Sequence, residues 1–263
     1  MQPDYKNWVP RGLLAGVFAC CAFCLVLSGI FGFSPLLPEG TMRLMAGIVL
    51  LLLAVCSGLM GWKLSAMYHA FDYHGNQRVS RHIIESVAGQ VRIPDEGVGL
   101  DVGCGSGALA IACAKRNPQA RMVGVDLWAK AYASFSQQLC EHNAEAEGVR
   151  NVTFQKGNAC NLDFPTDHFD VVVSNYVYHN IPSGNRQAIL LETLRVLKPG
   201  GSFVLHDLFT KRKYGDMNAF IALLKRMGYK EARLVPTDDG TFLPKKEAAR
   251  LCLKGSALLV GRK

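Results

Sequence analysis

Two long stretches of this chain carry no charge at all, and they dictate what its first quarter can become. Residues 12–33 and 44–62 form uncharged, mostly apolar runs of 22 and 19 residues. About 20 such residues at roughly 1.5 Å each cross the hydrocarbon core of a bilayer. A single segment satisfies its backbone there only as a helix. Between the runs, Pro35, Pro38 and Gly40 read as a tight turn. Residues 1–64 are therefore expected to form a transmembrane helical hairpin with spans at about 12–33 and 44–62. Lys6, Arg11 and Lys63 flank its outer ends, and the turn offers only Arg43 beside Glu39. That bias places both termini, and the chain that follows the hairpin, in the cytoplasm. A cleaved leader for the first run and two buried core helices are the alternatives. No small-x-small cleavage site stands out after the first run, and a second run follows almost at once. Gly12-x-x-x-Gly16 and Gly29 offer small surfaces through which two copies would pair as a homo-oligomer.

The rest of the composition is that of a folded enzyme-sized body. Of 263 residues, 49% are apolar and 19% charged, and the apolar excess sits in the two runs. The nine cysteines are scattered, and Cys21-x-x-Cys24 lies inside the first run without a second pair. A zinc site needs four ligands at matched spacing, so these read as structural filler in a reducing compartment, and no metal is expected. The net charge of +8 falls mostly after residue 64, which suits a domain held beside anionic headgroups. No basic run exceeds Lys211-Arg212-Lys213, so nucleic acid is not an expected partner.

After the hairpin, residues 65–95 read as a connector rich in aromatics and histidine, including Tyr68, His69, Phe71, Tyr73 and His74, with a helical stretch over 79–91. Residues 96–263 alternate between strand and helix patterns. Strands are expected at 98–102, 121–125, 152–155, 169–174, 202–206, 230–235 and 256–260. Helices are expected at 108–115, 130–147, 185–197 and 216–227, with Lys198-Pro199-Gly200-Gly201 breaking the third. Apolar strands alternating with helices give an α/β domain, a doubly wound and mostly parallel sheet covered on both faces.

The sharpest local feature is Gly99-Leu100-Asp101-Val102-Gly103-Cys104-Gly105-Ser106-Gly107. A strand runs into glycines at every second position and then directly into a helix. Glycine lets the backbone turn tightly and come close to a ligand, and the helix start offers free N–H groups. Asp126 stands at the end of the second strand, 23 residues after Gly103, where a carboxylate for a ribose diol belongs. The loop also satisfies G-x-G-x-x-A through Ala108, so a nicotinamide dehydrogenase is a competing reading. The chain after the sheet is too short for the separate substrate domain that reading wants.

The series as a whole resembles the class I S-adenosylmethionine-dependent methyltransferases. The matching blocks are Leu100 to Gly107, then Val123-Gly124-Val125-Asp126, then Gly157-Asn158-Ala159. Phe169-Asp170-Val171-Val172-Val173-Ser174-Asn175 and Leu194-Arg195-Val196-Leu197-Lys198-Pro199-Gly200-Gly201 follow in the family's order. The resemblance covers 96–263 and leaves the hairpin outside. It implies a seven-stranded sheet ending in an antiparallel hairpin, with S-adenosylmethionine lying over the C-terminal strand edges. By position, Asp101 with the loop Gly103, Cys104, Gly105 and Gly107 would hold the methionine portion. Asp126 would take the ribose hydroxyls, and Leu127 and Trp128 would pack near the adenine. Asn158 stands where family members usually place an aspartate, and its amide oxygen still accepts from the adenine amino group; Ala159 lies beside it. The backbone of Asn175 would line the transfer site.

Methyl transfer needs a nucleophile aligned with the S–CH₃ bond and, for a protonated acceptor, a base. His179 is the first candidate base because imidazole titrates near neutrality. His206, followed by Asp207, and Tyr178 are the others. The chain lacks the Asn/Asp-Pro-Pro-Tyr block of amino-methylating nucleic-acid enzymes, the paired-glutamate loop of arginine methylation and the carboxylate set of catechol enzymes. What remains is a small, membrane-dissolved acceptor: a quinone or phenol, an isoprenoid, a lipid amine or a thiol. A soluble acceptor with the hairpin as a mere tether, and a non-catalytic scaffold that keeps the cofactor fold, are the competing readings. The hairpin is testable by moving a tag from the N-terminus to the turn near Glu39, which should switch protease protection in intact cells. Identical protection at both places would rule it out.

Overall fold

The computed structural model describes residues 2–33, 40–129 and 134–263, and the chain divides into two compact units, 7–81 and 1–6 with 82–263. Most of the expected turn at 34–43 and the first residues of the expected helix 130–147 lie outside the described residues.

The first unit is built on two helices, α1 (Arg11–Phe33) and α2 (Thr41–Phe71), both long and apolar enough to cross a membrane. They approach closely because small residues recur on one face of α2. Gly47, Ala54 and Gly61 are buried there at heptad spacing. A Cβ on Gly47 would stand 3.5 Å from the Gly32 backbone, and one on Gly61 would meet the Phe18 ring at 2.9 Å. Side chains bond across the pair: Ser28 Oγ donates to the Gly47 carbonyl at 2.9 Å, Cys21 Sγ to the Ala54 carbonyl at 3.3 Å, and the Arg43 guanidinium to the carbonyls of Phe31 and Gly32. Apolar side chains cover the outside, with Leu59 63% and Trp62 74% exposed. Gly12, Gly16 and Gly29 have no heavy atom within 4 Å of a built Cβ, so they take no part in this pairing. α2 does not stop near Trp62; it runs nine residues further, to Phe71. Asn7 donates to the Tyr68 carbonyl, Arg11 Nε donates to the Tyr68 hydroxyl, and the Trp8 ring packs at a tilt against Phe71. These contacts keep the late turns of α2 in register with the entry to α1.

The second unit is a seven-stranded sheet ordered β3-β2-β1-β4-β5-β7-β6. β1 (Val98–Val102), β2 (Arg121–Asp126), β3 (Val152–Lys156), β4 (Phe169–Asn175) and β5 (Leu197–Leu208) pair in parallel. β6 (Glu231–Pro236) and β7 (Ser256–Arg262) close the sheet as antiparallel strands. α3 (Val79–Gly89) runs across the boundary between the units in sequence. α4 (Ala108–Arg116), α5 (Gln137–Ala146), α6 (Arg186–Arg195), α7 (Lys211–Tyr214), α8 (Met217–Arg226) and α9 (Lys245–Arg250) complete it.

Three helix starts are set by side-chain acceptors, which satisfy N–H groups left unpaired in a first turn. Ser136 caps α5, Asn185 caps α6 and Asp216 caps α8. The Ser136 cap fixes the start of α5 at Gln137, so residues 134–136 of the expected helix stand outside it. Lys198-Pro199-Gly200-Gly201 also behaves differently from the expected loop. It is folded into the start of β5 as an irregularity between the Phe169–Leu197 and Val171–Ser202 pairs. Gly200 at φ +79° makes the required turn, and its N–H donates to the Lys263 carbonyl.

The core between β1, β4, β5 and α6 buries Leu100, Phe169, Leu190, Leu194 and Phe203 completely. Phe203 also fills the space that a side chain at Gly261 would need, 2.5 Å from the built Cβ. Phe203→Ala should cost about 3–5 kcal/mol, read from urea unfolding followed by circular dichroism. A loss below about 1 kcal/mol would mean that this layer collapses freely around the gap.

Candidate active site

The glycine turn after β1 is fixed by three residues of left-handed backbone, Gly103, Gly105 and Gly107, at φ +74°, +57° and +82°. Packing forbids a side chain at two of them. A Cβ on Gly103 would stand 2.4 Å from Val177, and one on Gly107 2.9 Å from Phe154. A Cβ built on Gly105 would meet no heavy atom within 4 Å. The backbone is thus braced at both ends and bare in the middle, the form of a loop that lets a ligand approach. Cys104 is buried beneath the turn, and burial pushes its thiol well above the ordinary range.

Asp126, ending β2, ties that loop down. Its Oδ2 accepts from the Gly105 N–H at 2.9 Å and its Oδ1 from the Trp128 N–H at 2.8 Å. The Trp128 indole N–H donates back to the Gly105 carbonyl at 3.0 Å. Each carboxylate oxygen keeps acceptor capacity after one donor, so a diol remains within its means. Leu127 is about half exposed beside it. Beyond β3, Asn158 is exposed, and its Oδ1 accepts from the Cys160 N–H at 2.9 Å, bracing its own turn; Ala159 packs against the core edge.

Asp101 lies at the end of β1 with 1% exposure, and its Oδ2 has no hydrogen-bond partner among the described residues. Burial raises its pKa to about 8. The Ala110 N–H pulls the other way, and the Asp126 charge adds to the rise. A buried carboxyl short of one donor, beneath a bare glycine and beside the N-terminus of α4, suits a ligand that brings an ammonium group.

The second half of the site comes from the ends of β4 and β5. Ser174 Oγ donates to the Val102 carbonyl at 2.7 Å, locking β4 to β1, and Val177 then covers Gly103. A single 3₁₀ turn, Tyr178–Asn180, follows. Here the three candidate bases part company. The Tyr178 ring is fully buried with its hydroxyl on Thr193 at 3.1 Å, and burial raises its pKa. His206 is 1% exposed, with Nδ1 on Asn175 Oδ1 at 2.8 Å and Nε2 on Thr237 Oγ1 at 2.9 Å. Burial lowers its pKa to about 3, so the ring is neutral at physiological pH and both nitrogens are spoken for. These two hold the frame and present no free basic atom.

His179 is arranged differently. Its Nδ1 meets Asp207 Oδ1 at 2.6 Å, with the Asp207 side chain 0% and the imidazole 16% exposed. Asp207 also accepts from the Leu208 N–H at 2.6 Å and the His179 N–H at 3.3 Å. A carboxylate facing Nδ1 selects the tautomer with the proton there, leaving the Nε2 lone pair available. The pairing joins residues 28 apart and has no signature in local spacing. Sequence reasoning noted Asp207 only as a neighbour of His206. It missed Tyr214, whose buried hydroxyl has no partner among the described residues; burial first, then the Asp207 charge, keeps that phenol protonated. Among the described residues no group of His, Cys, Asp and Glu could hold a metal ion.

Residues 100–201 match the family model described as a methyltransferase domain. An arsenite methyltransferase of Aquipseudomonas alcaligenes is 30% identical over 158 residues, 52% of this chain and 45% of that protein. A demethylmenaquinone methyltransferase of Geobacillus kaustophilus is 35% identical over 106 residues, 40% of this chain and 42% of that protein. The chain thus spans less than half the length of these curated relatives. A solved structure of geranyl diphosphate methyltransferase in complex with GPP and sinefungin shares the fold, with a TM-score of 0.57 at 14% identity over 74% of this chain and 81% of that one. The strand order, the glycine turn with its acid at the end of β2, and the matched region agree: residues 100–201 of this chain carry a methyltransferase domain on a Rossmann-like sheet.

Proposed function

We propose that this protein is a membrane-anchored methyltransferase that moves the methyl group of S-adenosylmethionine to a small, lipophilic acceptor carrying an ionisable proton. The observation that carries the reading is the His179–Asp207 pair, a poised base set beside the glycine turn at the β1–β4 switch of the sheet. Open parallel sheets place their ligands at that switch. S-Adenosylmethionine, when bound, supplies an electrophilic methyl group on a sulfonium centre.

The chain's own residues account for the rest. Asp101 takes the methionine ammonium, which gives its orphaned oxygen a donor. The bare backbone at Gly105 admits the ligand, Asp126 receives the ribose hydroxyls, and Trp128 and Leu127 flank the base. His179 accepts the acceptor's proton at Nε2, and Asp207 stabilises the imidazolium that results. Base catalysis of this kind contributes about 10²–10⁴-fold. A quinol or phenol, a lipid amine and a thiol carry such a proton, and an isoprenoid methylated at a C=C bond loses one from the carbocation so formed, so each gives a histidine base a proton to take. The relatives above are named for arsenite, demethylmenaquinone and geranyl diphosphate, all small molecules. Two helices long and apolar enough to cross a membrane support an acceptor dissolved in the bilayer, and the flanking Lys6, Arg11 and Lys63 support a cytoplasmic side for the domain.

Two outcomes follow. In the free protein Asp101 holds its proton below about pH 8, and binding an ammonium charges it, so binding releases a proton. Affinity for S-adenosylmethionine should rise from about pH 6 to about pH 7.5, below the ligand's own α-amino titration, by up to ten-fold per unit. Calorimetry in two buffers of different ionisation heat measures both affinity and proton release, and Asp101→Asn should abolish the dependence. A pH-independent affinity in the wild type would overturn the assignment.

For the base, His179→Ala should lower labelled methyl transfer by about 10²–10⁴-fold without changing cofactor affinity. Asp207→Asn should lose nearly as much, because an amide facing Nδ1 favours the wrong tautomer. Full rates in both variants would remove His179 from the chemistry.

A further inference from the structure

Residues 2–6, ahead of the first apolar helix, belong to the same compact unit as the sheet, and residues 4 and 5 are bound against its glycine turn and α5. Asn143, on α5 and 0% exposed, grips Asp4 by both backbone groups. Its Oδ1 accepts from the Asp4 N–H at 2.7 Å and its Nδ2 donates to the Asp4 carbonyl at 3.0 Å. The same Nδ2 donates to the carbonyl of Ser106 at 2.9 Å, in the middle of the glycine turn. Ser106 Oγ in turn donates to the Tyr5 carbonyl at 3.1 Å. Tyr5 is 4% exposed, and its hydroxyl donates to Glu147 Oε1 at 3.1 Å, whose other oxygen is paired with Lys115 at 2.6 Å.

This is recognition of a particular segment. Three backbone groups of two consecutive residues are satisfied by side chains from more than 100 positions away. A buried amide such as Asn143 is stable only while its donors and acceptor are paired. Removing the segment would leave the Asn143 Oδ1 and the Ser106 hydroxyl without these partners. The loop between Gly105 and Gly107 would then lose its outer brace, and that loop carries the N–H on Asp126.

We propose that residues 4–5 form a strap that completes the S-adenosylmethionine pocket, with Asn143 as the positioning residue that holds the strap and the glycine turn in one network. The inference rests on the methyltransferase reading and adds a dependence of cofactor affinity on the N-terminal segment. Only four residues separate Lys6 from the start of α1 at Arg11, so the segment that completes the pocket is also the lead-in to the membrane anchor. A protein trimmed within its first six residues would keep its sheet and its base and bind cofactor poorly.

The test uses the full chain in lipid nanodiscs, with Asp4→Pro, which removes the N–H held by Asn143, and Tyr5→Gly, which removes the buried ring. Equilibrium dialysis with labelled S-adenosylmethionine should show the dissociation constant raised about ten-fold or more in each variant. The cofactor-free melting temperature should fall, since a buried ring or a partner of the buried Asn143 is lost, with unfolding still a single transition, and amide exchange at residues 105–107 should accelerate more than exchange in β4 and β5. In turnover, KM for the cofactor should rise while kcat holds. Unchanged affinity and exchange in both variants would overturn the strap. A wild type that binds no S-adenosylmethionine would sink the cofactor reading instead. The exchange rates at residues 105–107 would then decide the strap alone, faster in the variants supporting it and equal rates refuting it.

Discussion

The parallel pairing of β1 with β4 at the centre of the sheet is the constraint on which the site depends. Chain direction reverses its spread there, so the loops leaving the two strands diverge and leave a crevice between them. The Ser174 hydroxyl on the Val102 carbonyl closes the pairing at its C-terminal end, and Val177 settles onto Gly103 because glycine leaves it room. The glycine turn is thereby held open over Gly105, and the residues after Val177, in the loop leaving β4, present His179 to Asp207 from β5. Without that adjacency the carboxyl of Asp101, the glycine turn and the His179–Asp207 pair would be unrelated features of separate strands.

Much of this was legible in the sequence because it is local. Apolar runs at strand length, the Gly103-x-Gly105-x-Gly107 turn and Asp126 at the next strand end are properties of neighbouring residues, and they gave the α/β class and the order of the blocks. The two uncharged runs gave two long helices for the same reason. Element ends were harder to read, since caps and sheet pairing decide them. Ser136 sets where α5 begins, β5 absorbs Lys198 to Gly201, and α2 continues to Phe71.

Long-range pairing was not legible at all. His179, His206 and Tyr178 looked alike as candidate bases, and only burial separates them. His206 and Tyr178 lose their chemistry to the core, and His179 gains a carboxylate partner from the next strand. The Asn143 network is invisible for the same reason: its partners lie at Asp4 and Ser106. Asn158 illustrates a subtler case. An amide in that position has the right acceptor for an adenine amino group, yet here its oxygen braces its own turn, so cofactor contact requires either its second lone pair or a shift of the Cys160 amide.

The central claim is that this site transfers a methyl group from S-adenosylmethionine to something dissolved in the membrane. Membranes containing the protein, incubated with methyl-labelled S-adenosylmethionine and separated into lipid extract, protein, nucleic acid and aqueous phase, test it most directly. The account predicts label in the lipid extract, absent with Asp126→Ala. Label confined to protein, nucleic acid or the aqueous phase would contradict the lipophilic acceptor, and no label in any fraction from protein that binds the cofactor would contradict the transfer itself.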